Sequence, residues 1–565
     1  MNVATSDEMR WSRLLWVVLG LALAIRLWGI GYGLPFIYWT DEYHEVMRAL
    51  ELGSGNFNFA RTGKGGFYLL LFVEYGFYYV LLKLSGAIST AQDFAEQFVR
   101  DPSVFYLMGR VTAALFGCAT VAVAYFLARH AYKASTGVLA ALFLAFNFVH
   151  VDLSHRVGVD VPMTLFAALA LYFGIRVASK GQRRDYLLAG LCAALATTTK
   201  LPGILVLLPL LIAHTYHIFG SPGAPHRWLT SRALWLAVAV FFVVLGITNP
   251  GILLHFDVLS LFTAPSQEML DEGSIDAAAG ISSASRPNLF FFYLSVLQTS
   301  MGWPLFALSV VSVGFAIWKH RPSDVILLSY ALLNYLAISS TSSEFLYYPR
   351  YALPIIVVLA VLAGRALAEL ILVTPRWRTA ILAGSTCILV VVPFTESVKY
   401  SFSLTQTDTR TLAKEWFDAH VPARSRVFIE GTKISASRLT VQLADSRESI
   451  ERRIAYWKVK EPRQAKFLEI KRAVYEGGGY DLELVKVAAV APLDEYAARG
   501  VEYFVIRPDS FMGSRKAASG SSRLVSALRS DARVQLLRRF EPRSGLQPGP
   551  PIEIYQLQPN AAPIG

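Results

Sequence analysis

The chain has 565 residues, of which 54% are hydrophobic and 17% charged, with a net charge of +12. An ordinary soluble domain carries about 25% charge, so this composition excludes a single soluble domain and calls for lipid to cover apolar surface. Residues 1–394 hold 26 Lys+Arg and 21 Asp+Glu, while the much shorter 395–565 hold 27 and 20. Two bodies are joined: a long apolar one, and a terminal one of soluble composition. The basic total does not mark a nucleic-acid binder, because no basic run with interleaved aromatics stands apart from the apolar segments. Cys118, Cys192 and Cys387 lie in apolar runs as small hydrophobes, and the terminal body has no cysteine for a disulfide.

In chain order, the runs suited to crossing a bilayer are 14–30, 105–128, 136–151, 162–178, 186–199, 202–219, 233–249, 303–318, 323–338, 351–372 and 379–394. Arg26 and the lack of a small-residue cleavage site mark the first as a span rather than a signal peptide. With the N-terminus inside, the inner loops hold thirteen Lys and Arg, among them Arg129, Lys180 and Arg232, against three acids. That bias sets the orientation: N-terminus cytoplasmic, and residues 395–565 extracytoplasmic after about 11 transmembrane helices.

Residues 66–86 are apolar enough to cross, but a full crossing there would turn every later basic loop outward. They are read instead as lying on the outer surface, within a long first outer loop, 31–104. The same argument covers 291–302. Outer segments carry the polar residues: the first loop, 151–161, 250–302 and 339–351. The third holds His255 and five acids. In the terminal body, 407–420 reads as a capped helix, VPARSRVFIE as a turn and a strand, 441–475 as two polar helices, and DLELVKVAAV, VEYFVIRP, ARVQLLRRF and IEIYQL as strands. That alternation predicts a small α/β domain.

Candidate chemistry sits outside. Asp41 and Glu42, in YWTDEYHE, follow the first span among aromatic residues. Desolvation and like-charge proximity would raise the basicity of such a pair, as a general base needs; a loop acid pair or a helix N-cap is the bland alternative. His155, Arg156 and Asp160, in SHRVGVDVP, form a second group, with Asp160 read either as a helix cap or as an acid that orients substrate. Lys64, in RTGKGGF, suits a lipid headgroup or the phosphate of a specific lipid. Arg350 and Tyr348, in YYPRYALP, suit an interfacial anchor or a phosphate-reading fork.

Together these residues resemble the glycosyltransferase C superfamily. YWTDE, TGKGGFYLLL, MGRVTAALFG, SHRVGVDVPMTLF, TTTKLPG, YYPRYALP and DTRTLAKEWFDAHVP occur in that family's order. The pattern is similar to bacterial and archaeal relatives of protein O-mannosyltransferases and lipid A aminoarabinose transferases (glycosyltransferase family 39 type). The resemblance implies a polyprenyl-phosphate-linked sugar donor and a lipid, glycan or protein acceptor. It implies Asp41, with Glu42 beside it, and Asp160 as catalytic acids, and Lys64 on the donor phosphate. Lys64 precedes Gly65-Gly66 where relatives carry prolines, and follows Gly63 where aminoarabinose transferases carry a metal-binding acid. No metal ligand is therefore carried over, although a divalent metal stays open.

The expected function is transfer of a monosaccharide from that donor to an acceptor hydroxyl on the extracytoplasmic face of the cell membrane, with inversion. Arg350 would join Lys64 on the donor phosphate, and His155, Arg156 and Tyr348 would bind substrate. The alternative is a non-catalytic lipid carrier, flippase or transporter. That reading calls for charges and helix breaks in paired halves, which the sequence does not display.

Overall fold

The computed structural model describes residues 3–55, 64–220, 228–249, 288–340, 347–373, 378–431, 440–460, 462–485, 490–508, 521–543 and 545–558. The expectations for His255 and the acids of 250–287 lie outside the described residues. The helices of the apolar body are α1 (Val3–Leu27), α2 (Thr40–Leu52), α3 (Gly65–Leu84), α4 (Ala91–Arg100), α5 (Ser103–Ala131), α6 (Ala134–Ala145), α7 (Phe148–Leu153), α8 (Asp160–Lys180), α9 (Arg183–Thr199), α10 (Leu207–Phe219), α11 (Arg232–Thr248), α12 (Leu289–Lys319), α13 (Pro322–Ser339), α14 (Leu353–Val373) and α15 (Arg378–Ser403). Short 3-10 turns, Leu201–Val206 and Pro349–Ala352, lead into α10 and α14. A helix overlies each run expected to cross. Among the described residues, seven helices are long and apolar enough to span a membrane by length and composition.

Small residues let these helices approach closely. A Cβ on Gly190 of α9 would stand 2.4 Å from the Ala237 carbonyl of α11, and one on Gly364 of α14 would stand 2.9 Å from the Ala140 nitrogen of α6. Charges inside the bundle are paired or bonded, as burial demands. Arg26 of α1 donates to the carbonyls of Ala22 (2.8 Å) and Ala145 (3.0 Å) and meets His150 Nδ1 at 2.8 Å. Arg365 of α14 pairs with Asp324, which also accepts from the Tyr132 hydroxyl at 2.6 Å.

α3 is itself one of those seven helices. Gly66 donates its N–H to Thr198 Oγ1 at the last turn of α9. Midway along α3, Tyr75 and Tyr78 pack edge-on against Phe105 in the first turn of α5, and Glu74 accepts from Thr112, farther along α5, at 2.8 Å. α3 thus meets the end of α9 and the start of α5, which consecutive antiparallel helices bring together. The stretch 289–301 behaves alike: Phe290 meets Tyr335 near the end of α13, and Asn147, just past α6, donates to the Ser300 carbonyl. Gly302, at φ +71°, then breaks α12, a conformation that favours glycine.

The terminal body follows. α15 runs past the expected boundary at 394 to Ser403. Asp408 caps α16 (Thr409–His420) by accepting from the Arg410 N–H. Strands β1 (Arg426–Glu430), β2 (Asp481–Val485), β3 (Tyr503–Ile506), β4 (Val534–Phe540) and β5 (Ile552–Leu557) form one sheet in the order β2-β1-β3-β5-β4. β1 pairs parallel with β2 and β3, and β5 pairs antiparallel with β3 and β4. α17 (Arg447–Lys460) and α18 (Pro462–Ala473) link β1 to β2, while α19 (Leu493–Ala498) and α20 (Ser521–Ser530) flank β3 in sequence. Buried faces such as Phe428, Phe504 and Ile506 explain why these short runs became strands. The sheet domain sits at the same end of the bundle as α3. Arg410 lies over the Tyr38 ring at 3.8 Å, Tyr38 meets Thr411 Oγ1 at 2.6 Å, the Tyr32 hydroxyl donates to Asp408, and Arg100 pairs with Glu476.

Candidate functional site

Asp41 opens α2. The preceding segment is clamped on both sides. On one, Arg110 of α5 donates to the carbonyls of Ile30 (3.0 Å) and Tyr32 (2.7 Å). On the other stands the Tyr32–Asp408–Arg410 cluster of the terminal body. Trp39 lies between two guanidinium groups, Arg110 at 4.9 Å and Arg156 at 4.6 Å. The carboxylate that follows is therefore positioned by a tightly held loop.

Asp41 pairs with Arg350, in the turn that leads into α14. The Asp41 side chain is 57% exposed, yet burial is still the largest influence on its ionisation. Burial works against its charge, but Arg350 and Lys64 outweigh that and hold the carboxyl well below the usual carboxylate range. This corrects the expectation of a carboxylate with raised proton affinity.

Lys64 precedes the first residue of α3 and pairs with Glu45, one helical turn beyond Asp41 on the same face of α2. Burial would discharge the amine, but the Glu45 carboxylate overrides it and raises its proton affinity. Asp160 is the first residue of α8 and accepts from Lys200 Nζ at 2.6 Å, so it is not the cap of that helix. Lys200 lies 4.5 Å from the Tyr351 ring, and the Arg350 guanidinium lies 4.5 Å from the Tyr348 ring and 5.4 Å from that of Tyr351. Arg350 also senses Asp160 electrostatically, as Asp41 senses Lys64. The result is one chain of alternating charge: Glu45, Lys64, Asp41, Arg350, Asp160, Lys200.

Two expected site residues are placed elsewhere. Glu42 is fully buried and accepts from Arg110 Nε (2.9 Å), Arg110 Nη2 (2.7 Å) and the Val157 N–H (2.8 Å). With its side chain sealed and both oxygens engaged, it cannot act on a substrate, which corrects its reading as a catalytic partner of Asp41. His155 is likewise fully buried, with Nδ1 2.8 Å from the Val151 carbonyl and Nε2 3.1 Å from that of Trp28. It holds the α7–α8 loop rather than a substrate. Arg156 pairs with Asp152 and reaches Tyr400 of α15, so its charge is already matched. Glu45 is the member that sequence reasoning missed, its signal being the i+4 spacing from Asp41, while Lys200, in TTTKLPG, stood out only as a charge near a span that needs a partner.

Among the described residues, no group of three His, Cys, Asp or Glu could hold a metal ion. The arrangement can hold an anion between Lys64 and Arg350 beside an ionised carboxylate. Residues 107–248, from α5 to α11, match the family of dolichyl-phosphate-mannose-protein mannosyltransferases. No curated protein matches the sequence. Among solved structures, the chain is similar to ArnT from Cupriavidus metallidurans bound to undecaprenyl phosphate, with 14% identity and a TM-score of 0.48 over 100% of both chains. It is also similar to the apo oligosaccharyltransferase of Archaeoglobus fulgidus, with 12% identity and a TM-score of 0.45 over 89% of this chain and 71% of that one. A third likeness is to the archaeal oligosaccharyltransferase AglB of the same organism in complex with an inhibitory peptide and a dolichol-phosphate, with 12% identity and a TM-score of 0.45 over 93% and 72%.

Proposed function

We propose that this chain is a membrane glycosyltransferase that moves a monosaccharide from a polyprenyl-phosphate-linked donor to an acceptor hydroxyl, on the extracytoplasmic face. The observation that carries the reading is the convergence of Arg350, as an ion pair, and Lys64, through its charge, on the exposed Asp41 carboxylate. The mannosyltransferase family match supports it. The acceptor oxygen attacks the anomeric carbon while its proton passes to the Asp41 carboxylate. The bond from the anomeric carbon to the phosphate oxygen breaks, and the electron pair leaves with the phosphate. Lys64 and Arg350 meet the charge that develops there. Single displacement inverts the anomeric centre. Asp160, held by Lys200, and Tyr348, stacked on Arg350, position this apparatus.

The test is incubation of the purified protein with a panel of radiolabelled polyprenyl-phosphate monosaccharides, followed by extraction of the lipid. One donor should lose its label to a water-soluble or acceptor-bound product, with an equimolar yield of polyprenyl phosphate. A protein that binds these lipids but leaves the sugar attached would return the carrier reading.

A further inference from the structure

The alternating chain of charge raises a question of occupancy. Each of its three cations already has a carboxylate: Lys64 has Glu45, Arg350 has Asp41 and Lys200 has Asp160. A sugar phosphodiester carries one negative charge, so a donor that takes the full charge of one cation competes with one of these acids. Their burial decides which one. Glu45 is 2% exposed and Asp160 9%, and stranding either would leave a charge without water or a partner. Asp41 is 57% exposed, so water can solvate it once its partner leaves. The Asp41–Arg350 pair is the one that opens at least cost.

The build of Arg350 suits that exchange. Its side chain is 18% exposed and its plane is set by the rings of Tyr348 and Tyr351, which use none of its N–H donors. Its Nε is buried and has no hydrogen-bond partner among the described residues. The guanidinium can therefore take a new acceptor without leaving its seat.

We propose that Arg350 changes partner as the donor binds, passing from Asp41 to the phosphate, so that the Asp41 carboxylate is released as a base only when a sugar donor is in place. This rests on the transferase reading above. The charged groups facing Asp41 are Arg350 ahead of α14, Lys64 at the head of α3, and His44 on α2 itself. Glu42, one residue on, faces away into Arg110 of α5, and Asp160 of α8 acts on Asp41 only through Arg350. Removal of the nearest cation raises the proton affinity of a carboxylate. The donor thus strengthens the base that will take the acceptor's proton, and donor binding precedes productive capture of that proton.

The test is a pair of pH profiles on the purified, lipid-reconstituted protein, with the donor that the panel identifies. The quotient kcat/KM for the donor reports the free enzyme, and kcat the loaded one. The acid limb of kcat should lie at least about 1 pH unit above that of kcat/KM. In Arg350→Gln the kcat/KM limb should rise to meet the kcat limb, with KM for the donor at least tenfold higher; Arg350→Lys should restore part of the separation. Coincident limbs in the unaltered protein overturn the exchange, even if Arg350→Gln fails to fold. Absence of turnover with every donor overturns the transferase reading instead.

Discussion

Replacing Glu42 by Gln keeps the side chain's size and removes its charge from a pair that is 0% exposed on both sides. The native carboxylate accepts three hydrogen bonds, at 2.9, 2.7 and 2.8 Å. An amide offers one carbonyl oxygen and turns an N–H toward a guanidinium that has only donors. A single lost bond to a charged group costs about 1.5–3 kcal/mol. Leaving Arg110 buried without its counter-charge brings the total to about 3–5 kcal/mol. The assay is thermal unfolding of the purified protein in detergent, with Glu42→Met, Arg110→Met and Glu42→Met/Arg110→Met added as a cycle. Each single change should lower the midpoint, and the double change should cost less than their sum, because an apolar pair fills the space without a stranded charge. A Glu42→Gln protein that unfolds like the parent while losing all turnover would refute the reasoning and return Glu42 to the chemistry.

Lys64→Ala should weaken binding of the lipid donor at least tenfold, measured by equilibrium binding of labelled donor, and should also release Glu45, so Lys64→Arg is expected to retain most of the affinity. Arg410→Ala strips two side-chain donors from buried Asp408 and leaves the backbone one; it should destabilise the protein by about 3 kcal/mol and speed proteolysis between α15 and α16. In the sheet domain, Arg453 and Lys471 outweigh burial and hold the Asp445 carboxyl below its ordinary value. Its contribution is therefore present above the unfolded value near about pH 4 and fades as pH falls through the native one. The gap in unfolding midpoint between the parent and Asp445→Asn should be wide at pH 7 and narrow at pH 3.

Much of this layout was legible in the sequence because it rests on periodic or compositional signals. The strands around Phe428, Phe504 and Ile554 alternate or cluster apolar residues between turn residues, and Asp408 stands before its helix as a cap does. The apolar stretch after Lys64 was placed on the outer surface by counting basic loops, because its length and composition alone match those of a span. Adjacency in sequence misled where helix geometry intervened. Asp41 and Glu42 are neighbours in the chain, but successive residues on α2 point about 100° apart, so one carboxylate meets Arg350 at the surface and the other enters the core. His155 beside Arg156 invited a polar site, yet the tight turn after α7 folds its ring onto two carbonyls. Pairings such as Lys200 with Asp160, or Arg350 with Asp41, join distant segments, and no local pattern encodes them.

The central claim is that Asp41 takes the acceptor proton. It is tested most directly by single-turnover transfer from pre-bound donor in the parent, Asp41→Asn and Asp160→Asn proteins. Asparagine keeps the shape and much of the hydrogen bonding but cannot serve as the base. Transfer by Asp41→Asn should fall by ~10²-fold or more, with donor still bound, while Asp160→Asn should retain a measurable rate. Near-normal transfer by Asp41→Asn together with its loss in Asp160→Asn would contradict the account and make Asp160 the base.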